Sequence, residues 1–252
     1  MTGRVRAGLR LLGLAALTAL SVVLHLATRL TGRHSPWPRR YLGLAGRIAG
    51  MDVSTTGTPR LHDVFYIANH VSWLDILVLA GRTGCAFVAR DDLGKAPLVG
   101  WLAAQNNTIL IRRHERSSVD GQIAAIRKAM AEHQPVCLFP EGTTGDGVSL
   151  LPFKAALFAV LLPPPRAIQV QPVFIDYGEA SATIAWTGDE GGLANALRIL
   201  GRKGRTRVVL HFLDAFDPGD HPDRKTLSAQ TRARIESAMA AQRPSGNSAA
   251  SL

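Results

Sequence analysis

The sequence predicts an α/β domain, a mostly buried mixed sheet with helices on both faces, preceded by a basic and apolar helical segment. Three observations carry this. From Asp63 onward, short strand-like runs alternate with helix-like ones. Those strand-like runs, such as "VFYIA" and "PVCLFP", are apolar throughout, the pattern of a sheet covered on both faces. The first fifth of the 252 residues also differs in composition from the remainder.

The formal net charge is +10, and its placement matters more than its size. Eight arginines precede Asp52 (Arg4, Arg6, Arg10, Arg29, Arg33, Arg39, Arg40 and Arg47), with no lysine or acid among them. The chain from Asp52 onward holds 21 basic against 19 acidic residues, so the body is nearly neutral and does not present a nucleic-acid-binding charge. Within the basic part lies an apolar run of 17 residues, Leu11 to Ala27. As a helix it reaches roughly 25 Å, against a hydrocarbon core of about 30 Å, so it either spans a thinned bilayer or sinks into one leaflet. A cleaved signal peptide fits less well, because "ATRLTGRHSPWPRR" comes next, with arginines and no small-x-small site. Arginines on both flanks leave the orientation open and favour anionic lipid surfaces. Residues 1–51 are therefore expected to be a membrane-anchoring helical segment.

After the proline-broken "SPWPRR", the stretch "YLGLAGRIAGM" predicts a second short amphipathic helix. "VFYIA" comes next as a buried strand, "WLDILVLAG" as a helix ended by Gly81, and "CAFVA" as a strand. "PLVGWLAAQN" reads as a helix with Pro97 in its first turn, then "TILIRR" as a strand and "SSVDGQIAAIRKAMAEH" as an amphipathic helix. Beyond these lie "PVCLFP" as a strand, "FKAALFAVLL" as a helix, and "IQVQPVFIDY" and "ATIAWTG" as strands. Pro172 inside its strand argues for an edge position or a bend. "LANALRIL" and "RKTLSAQTRARIESAMAAQ" read as helices flanking the strand "TRVVLHFL". The folded domain is expected over 52–241, and the small, polar tail 242–252 is expected to be disordered. Cys85 and Cys137 lie in apolar runs without metal-ligand spacing, so no metal site is expected and buried free thiols are.

Chemistry is suggested by "ANHVSWLDIL", where His70 precedes Asp75 by five positions. In a continuous helix the two would point about 140° apart, so they meet only if His70 stands in the turn before the helix. Ser72 and Asp75 also have the spacing of a capping box, and one carboxylate can serve both purposes. "LFPEGTTGDG" places Glu141, Gly142 and Thr143 in a glycine-rich loop after a strand, where backbone N–H groups can approach a ligand. Arg112, Arg113 and Arg116 cluster at a strand end, and a guanidinium there is suited to grip phosphate.

Taken in order, "NH" with four residues and then "D", an arginine-ended strand, "FPEGT" and "VQPV" resemble the four motifs of the glycerolipid acyltransferase family, which includes the bacterial-type 1-acyl-sn-glycerol-3-phosphate acyltransferases. The resemblance runs from about Asp63 to Asp176. It implies transfer of an acyl group from acyl-CoA or acyl carrier protein to the free hydroxyl of a membrane lysolipid, with no cofactor. It implies a site at the inner membrane with the catalytic domain on its cytoplasmic side. His70 would be the general base and Asp75 its partner. Arg113, with Arg116, would bind the acceptor phosphate, and Glu141, Gly142 and Thr143 would position the acceptor's glycerol part. No covalent acyl-enzyme is needed, because the acceptor's own oxygen replaces a serine. Backbone N–H groups near the glycines or the helix start would stabilise the oxyanion.

Two departures stand out. The family commonly has arginine after "EGT", where this chain has Thr144, and glycine before the second-motif strand, where it has Asn107. The expected acceptor is 1-acyl-sn-glycerol-3-phosphate, and the alternative is a lyso-ornithine lipid, whose head group lacks phosphate. A non-catalytic lipid-binding protein would leave the His70, Asp75 and Glu141 set unexplained. A hydrolase would call for a "GxSxG" nucleophile elbow that the sequence lacks.

Overall fold

The computed structural model describes residues 2–90, 97–111, 126, 134–164, 166–188 and 190–242. Two helices come first: α1 (Gly3–Leu30) and α2 (Trp37–Ile48). They form an antiparallel pair, since Gly13 lies beside Ile48 and Thr18 hydrogen-bonds Tyr41. The domain then contains β1 (Met51–Thr56), β2 (Val64–Ala68), α3 (Leu74–Thr83), β3 (Ala86–Arg90), α4 (Pro97–Gln105), β4 (Ile109–Ile111) and β5 (Val136–Leu138). A 3-10 helix (Ala155–Leu161), β6 (Gln169–Asp176), a single α turn α5 (Ser181–Ile184), α6 (Gly192–Leu200), β7 (Thr206–Phe212) and α7 (Arg224–Gln242) complete it.

The strands form one mixed sheet in the order β1-β7-β6-β2-β5-β3-β4, parallel except where β6 meets β7. β2 sits at its centre and is buried along its whole length. Its side chains alternate between two cores, as the pleat dictates. Val64, Tyr66 and Ala68 face the layer of α1, α3 and α6, whereas Phe65 and Ile67 face the 3-10 helix and α7. Both faces are thus covered, as the uniformly apolar strands predict.

Several elements differ from expectation for identifiable reasons. α3 runs past Gly81 and stops at Gly84, whose φ of 72° supplies the left-handed cap. Gly81 instead allows close helix contact, because a Cβ there would lie 2.5 Å from the Gly43 Cα of α2. "ATIAWTG" is not a strand but the turn α5 followed by loop, a case where a short apolar run does not distinguish the two. "FKAALFAVLL" winds as a 3-10 helix, cut short by the prolines after it. β1, unpredicted, has alternating burial and pairs with β7 at the sheet edge.

Pro172 is not at an edge, for β6 lies between β7 and β2. Its carbonyl accepts the Leu213 N–H at 3.0 Å, and the bond it cannot return is replaced by the Gln171 amide, which donates to the Leu213 carbonyl at 3.0 Å. The helix predicted within 117–133, apart from Ile126, lies outside the described residues, as does the tail beyond Gln242, itself the last residue of α7. Cys85 and Cys137 are free and buried.

Candidate active site

The site is built where the central strand ends. Asn69, directly after β2, clamps β6 by donating to the Ile175 carbonyl (3.1 Å) and accepting the Ile175 N–H (2.7 Å). This fixes the next residue, His70, in the turn between β2 and α3, the only place from which it can meet Asp75. The His70 Nδ1 lies 2.8 Å from the Asp75 Oδ2. Its ring stacks on Phe139, with centroids 4.0 Å apart and planes 11° apart, and Phe139 stacks in turn on Phe87. Nε2 makes no hydrogen bond among the described residues, and the side chain keeps 18% of its surface exposed. With Nδ1–H directed at the carboxylate, the lone pair is on the outward Nε2.

Asp75 is fully buried in the first turn of α3, so its charge must be compensated within the fold. Oδ2 accepts the N–H groups of Val71 (2.6 Å) and Ser72 (2.9 Å) besides the imidazole, and Oδ1 accepts the Tyr177 hydroxyl at 2.7 Å. One carboxylate therefore holds the turn and orients the ring. The reciprocal half of the capping box is missing, because the Asp75 N–H goes to the Ser72 carbonyl and the Ser72 hydroxyl lies 3.5 Å from the Leu74 N–H.

Glu141 sits behind His70. Its Oε1 accepts the His70 N–H and its Oε2 the Leu151 N–H, both at 2.8 Å, and the side chain is buried. Burial pushes its carboxyl above the ordinary carboxylate value, against the pull of the Leu151 and His70 N–H groups. Both oxygens are engaged by backbone, so the geometry gives Glu141 the task of fixing the glycine loop to the histidine turn. The Gly145 N–H reinforces this by donating to the His70 carbonyl at 2.7 Å. Gly142 takes a φ of 69° in the tight turn whose N–H returns to the Phe139 carbonyl.

These bonds occupy most of the backbone donors around the histidine turn. The N–H groups of Val71, Ser72, Gly142 and Gly145 are all engaged, while those of Thr143 and Thr144 make no hydrogen bond among the described residues. Thr143 is exposed in the loop. Thr144, where the family pattern has arginine, donates its hydroxyl to the Trp186 carbonyl. β4 is parallel to β3 and, through β5, to β2, so it ends on the same side of the sheet as His70. Arg112, Arg113 and Arg116, just beyond it, lie outside the described residues.

Tyr177 was not among the residues expected from the sequence. Standing after an apolar strand, it reads as core, and only the fold brings its hydroxyl to Asp75. Burial, and next the Asp75 charge, push its phenol well above the ordinary tyrosine value, so it remains a donor. Tyr177→Phe should lower kcat by roughly three- to tenfold, the loss of one hydrogen bond to a charged group. A kcat equal to that of the wild type would leave Tyr177 a packing residue.

Beside the histidine turn, an apolar cavity of about 310 Å³ lies among α1, α2, α3 and α4, lined by Val22, Tyr41, Trp73, Leu77, Phe87 and Leu102. It is of the size that admits part of a small apolar ligand.

Known proteins resemble this arrangement at three levels. Residues 52–176 match the family model described as Acyltransferase. The lyso-ornithine lipid O-acyltransferase of Rhodobacter capsulatus is 33% identical over 95% of this chain and 92% of its own. The 1-acyl-sn-glycerol-3-phosphate acyltransferase of Neisseria meningitidis is 29% identical over 78% of this chain and 77% of its own. In fold, the crystal structure of the 1-acyl-sn-glycerophosphate acyltransferase of Thermotoga maritima superposes with a TM-score of 0.68 at 20% identity, covering 96% of this chain and 99% of that one. With His70, Asp75 and Glu141 gathered at the end of the central strand and a relative of this similarity along nearly its full length, the chain belongs to the glycerolipid acyltransferase family.

Proposed function

We propose that this acyltransferase moves a fatty acyl group from a thioester donor, acyl-CoA or acyl carrier protein, to the hydroxyl of a lyso-ornithine lipid. The observation that carries the reaction is His70, held by Asp75 with Nε2 turned outward. Nε2 takes the proton of the acceptor hydroxyl as that oxygen attacks the thioester carbonyl. The tetrahedral intermediate collapses, the C–S bond breaks, and the imidazolium returns the proton to the departing thiolate. Asp75 stabilises the imidazolium meanwhile. His70 is hydrogen-bonded to no serine or cysteine among the described residues, in keeping with direct transfer. The apolar cavity next to Trp73 and Phe87 suits an acyl chain.

The acceptor rests on the relatives and on Thr144. A 33% identical relative that matches nearly end to end bears the lyso-ornithine name. Thr144 replaces a cation of the family pattern and is turned to a backbone carbonyl. Lysophosphatidate is the second reading, favoured by Arg113 and by the Neisseria relatives. Purified protein incubated with acyl-CoA or acyl carrier protein and both lysolipids should acylate the lyso-ornithine lipid. A rate at least tenfold higher on lysophosphatidate would reverse the acceptor, and no transfer to either by folded protein would remove the reaction. Arg113→Ala should cost roughly ten- to a hundredfold with lysophosphatidate and little with the lyso-ornithine lipid. Equal losses would refute a phosphate-specific role.

The same proposal lays α1 in one leaflet. Val5, Leu9, Leu12, Leu20, Val23 and Leu30 make an exposed stripe along its length, whereas Ala7, Ser21 and His25 on the other side are buried. The helix is fastened to the domain near both ends. Arg6 and Arg10 donate to the carbonyls of Gly201 and Leu200, and the His25 ring bonds Ser35 and Gln105. Those anchor points lie about 28 Å apart along the helix, so a span would have to tear one of them away. An in-plane helix with one apolar face suits an enzyme whose acceptor and product are both lipids.

A further inference from the structure

Five arginines converge on a cleft whose lining includes neither His70 nor Asp75. Arg39, Arg40 and Arg47 of α2, Arg82 of α3 and Arg205 before β7 line a space of about 690 Å³. All five are exposed, and none forms a salt bridge to an acid among the described residues. Asp52 is the one carboxylate in the lining among the described residues, against five arginines. Two of the arginines hold the walls together: Arg39 donates to the Arg82 carbonyl at 2.5 Å, and Arg82 reaches the Thr55 hydroxyl. Arg40 lies over the Trp37 ring, 5.3 Å from its centroid. Leu44, Met51, Val53 and Leu77 add apolar surface to the same space.

We propose that this cleft binds the phosphate of an anionic phospholipid. Guanidinium forks match phosphate oxygens, and five of them lining one space with a single carboxylate, none ion-paired among the described residues, make a site that an anion complements. The mixed lining fits a head group continuing into glycerol and the first methylenes, where a flat basic surface would better suit an acidic protein helix. α2 packs directly on α1, within about 10 Å, and Arg40, Leu44 and Arg47 share its outer face at i, i+4 and i+7. With α1 lying in the leaflet, a step that rests on the membrane reading above, the cleft is placed at head-group level.

The test uses the full chain and a short-chain phosphatidylglycerol below its micelle concentration, so that no charged surface exists to attract protein diffusely. Isothermal titration calorimetry should show one saturable site. The variant Arg40→Gln/Arg47→Gln/Arg205→Gln, which spares the wall-forming Arg39 and Arg82, should bind about a hundredfold more weakly with an unchanged melting temperature. Equal affinity in the variant overturns the site. Titrations with CoA and with acyl carrier protein separate the other phosphate-bearing or acidic candidates. If either binds wild type and is lost in the variant while the lipid is not, the cleft belongs to the donor and the lipid proposal is wrong. Sedimentation with neutral vesicles tests the in-plane helix separately, because it depends on the α1 stripe and should be the same for both proteins. Site-specific lipid binding without vesicle binding would retain the cleft and refute the membrane reading alone.

Discussion

His70→Ala is expected to lower kcat by about a thousandfold while the protein stays folded. A positioned general base contributes roughly 10²–10⁴-fold, and the described part of the site offers no second imidazole on Asp75 to replace it. The fold should tolerate the loss, because Asp75 keeps its bonds from Val71, Ser72 and Tyr177, and Asn69 and Glu141 hold the turn through other contacts. The forfeited hydrogen bond and ring stack are worth about 1–3 kcal/mol, a few degrees in Tm for a domain of this size. Circular dichroism alongside an acyl-transfer assay checks both parts. Near wild-type activity would remove His70 as the base.

Asp75→Asn should be nearly as damaging to rate, for a separable reason. The amide can place its oxygen where Oδ2 accepts three N–H groups and turn its NH2 toward the Tyr177 oxygen, so the turn survives at a cost of about 1–3 kcal/mol. The charge that stabilises the imidazolium does not survive. We expect kcat to fall by roughly 10²–10⁴-fold. Tyr177→Phe removes one hydrogen bond from the same carboxylate and is expected to cost far less, so the two variants together grade the carboxylate's hold on the ring. Lost stability with an unaltered rate once folded would make Asp75 a helix cap only.

Much of this could be read along the chain, and the exceptions share a cause. Uniformly apolar strands declare a sheet buried on both faces, and β2 is such a strand. The five-residue spacing of His70 and Asp75 required the histidine to stand before the helix if the two were to meet, and the turn holds it there. What was hidden depends on residues that meet only in three dimensions. Tyr177 lies 102 positions from the carboxylate it serves. The five arginines of the cleft are scattered from Arg39 to Arg205. Gly81 read as a helix stop because its partner, Gly43, belongs to another helix. Pro172 read as an edge residue because the Gln171 side chain that replaces its missing donor has no sequence signature. β1 offered too little apolar character to be distinguished from a loop, since its edge position leaves alternate residues in solvent.

A single-turnover experiment tests the central claim most directly: excess enzyme, a thioester donor labelled in its acyl chain, and a lyso-ornithine lipid, quenched over time. Label should pass from donor to acceptor at the rate of thiol release, with none bound to protein, and His70→Ala should leave it in the donor. Label accumulating on the protein before it reaches the lipid, or transfer by His70→Ala at the wild-type rate, would contradict direct general-base transfer by His70.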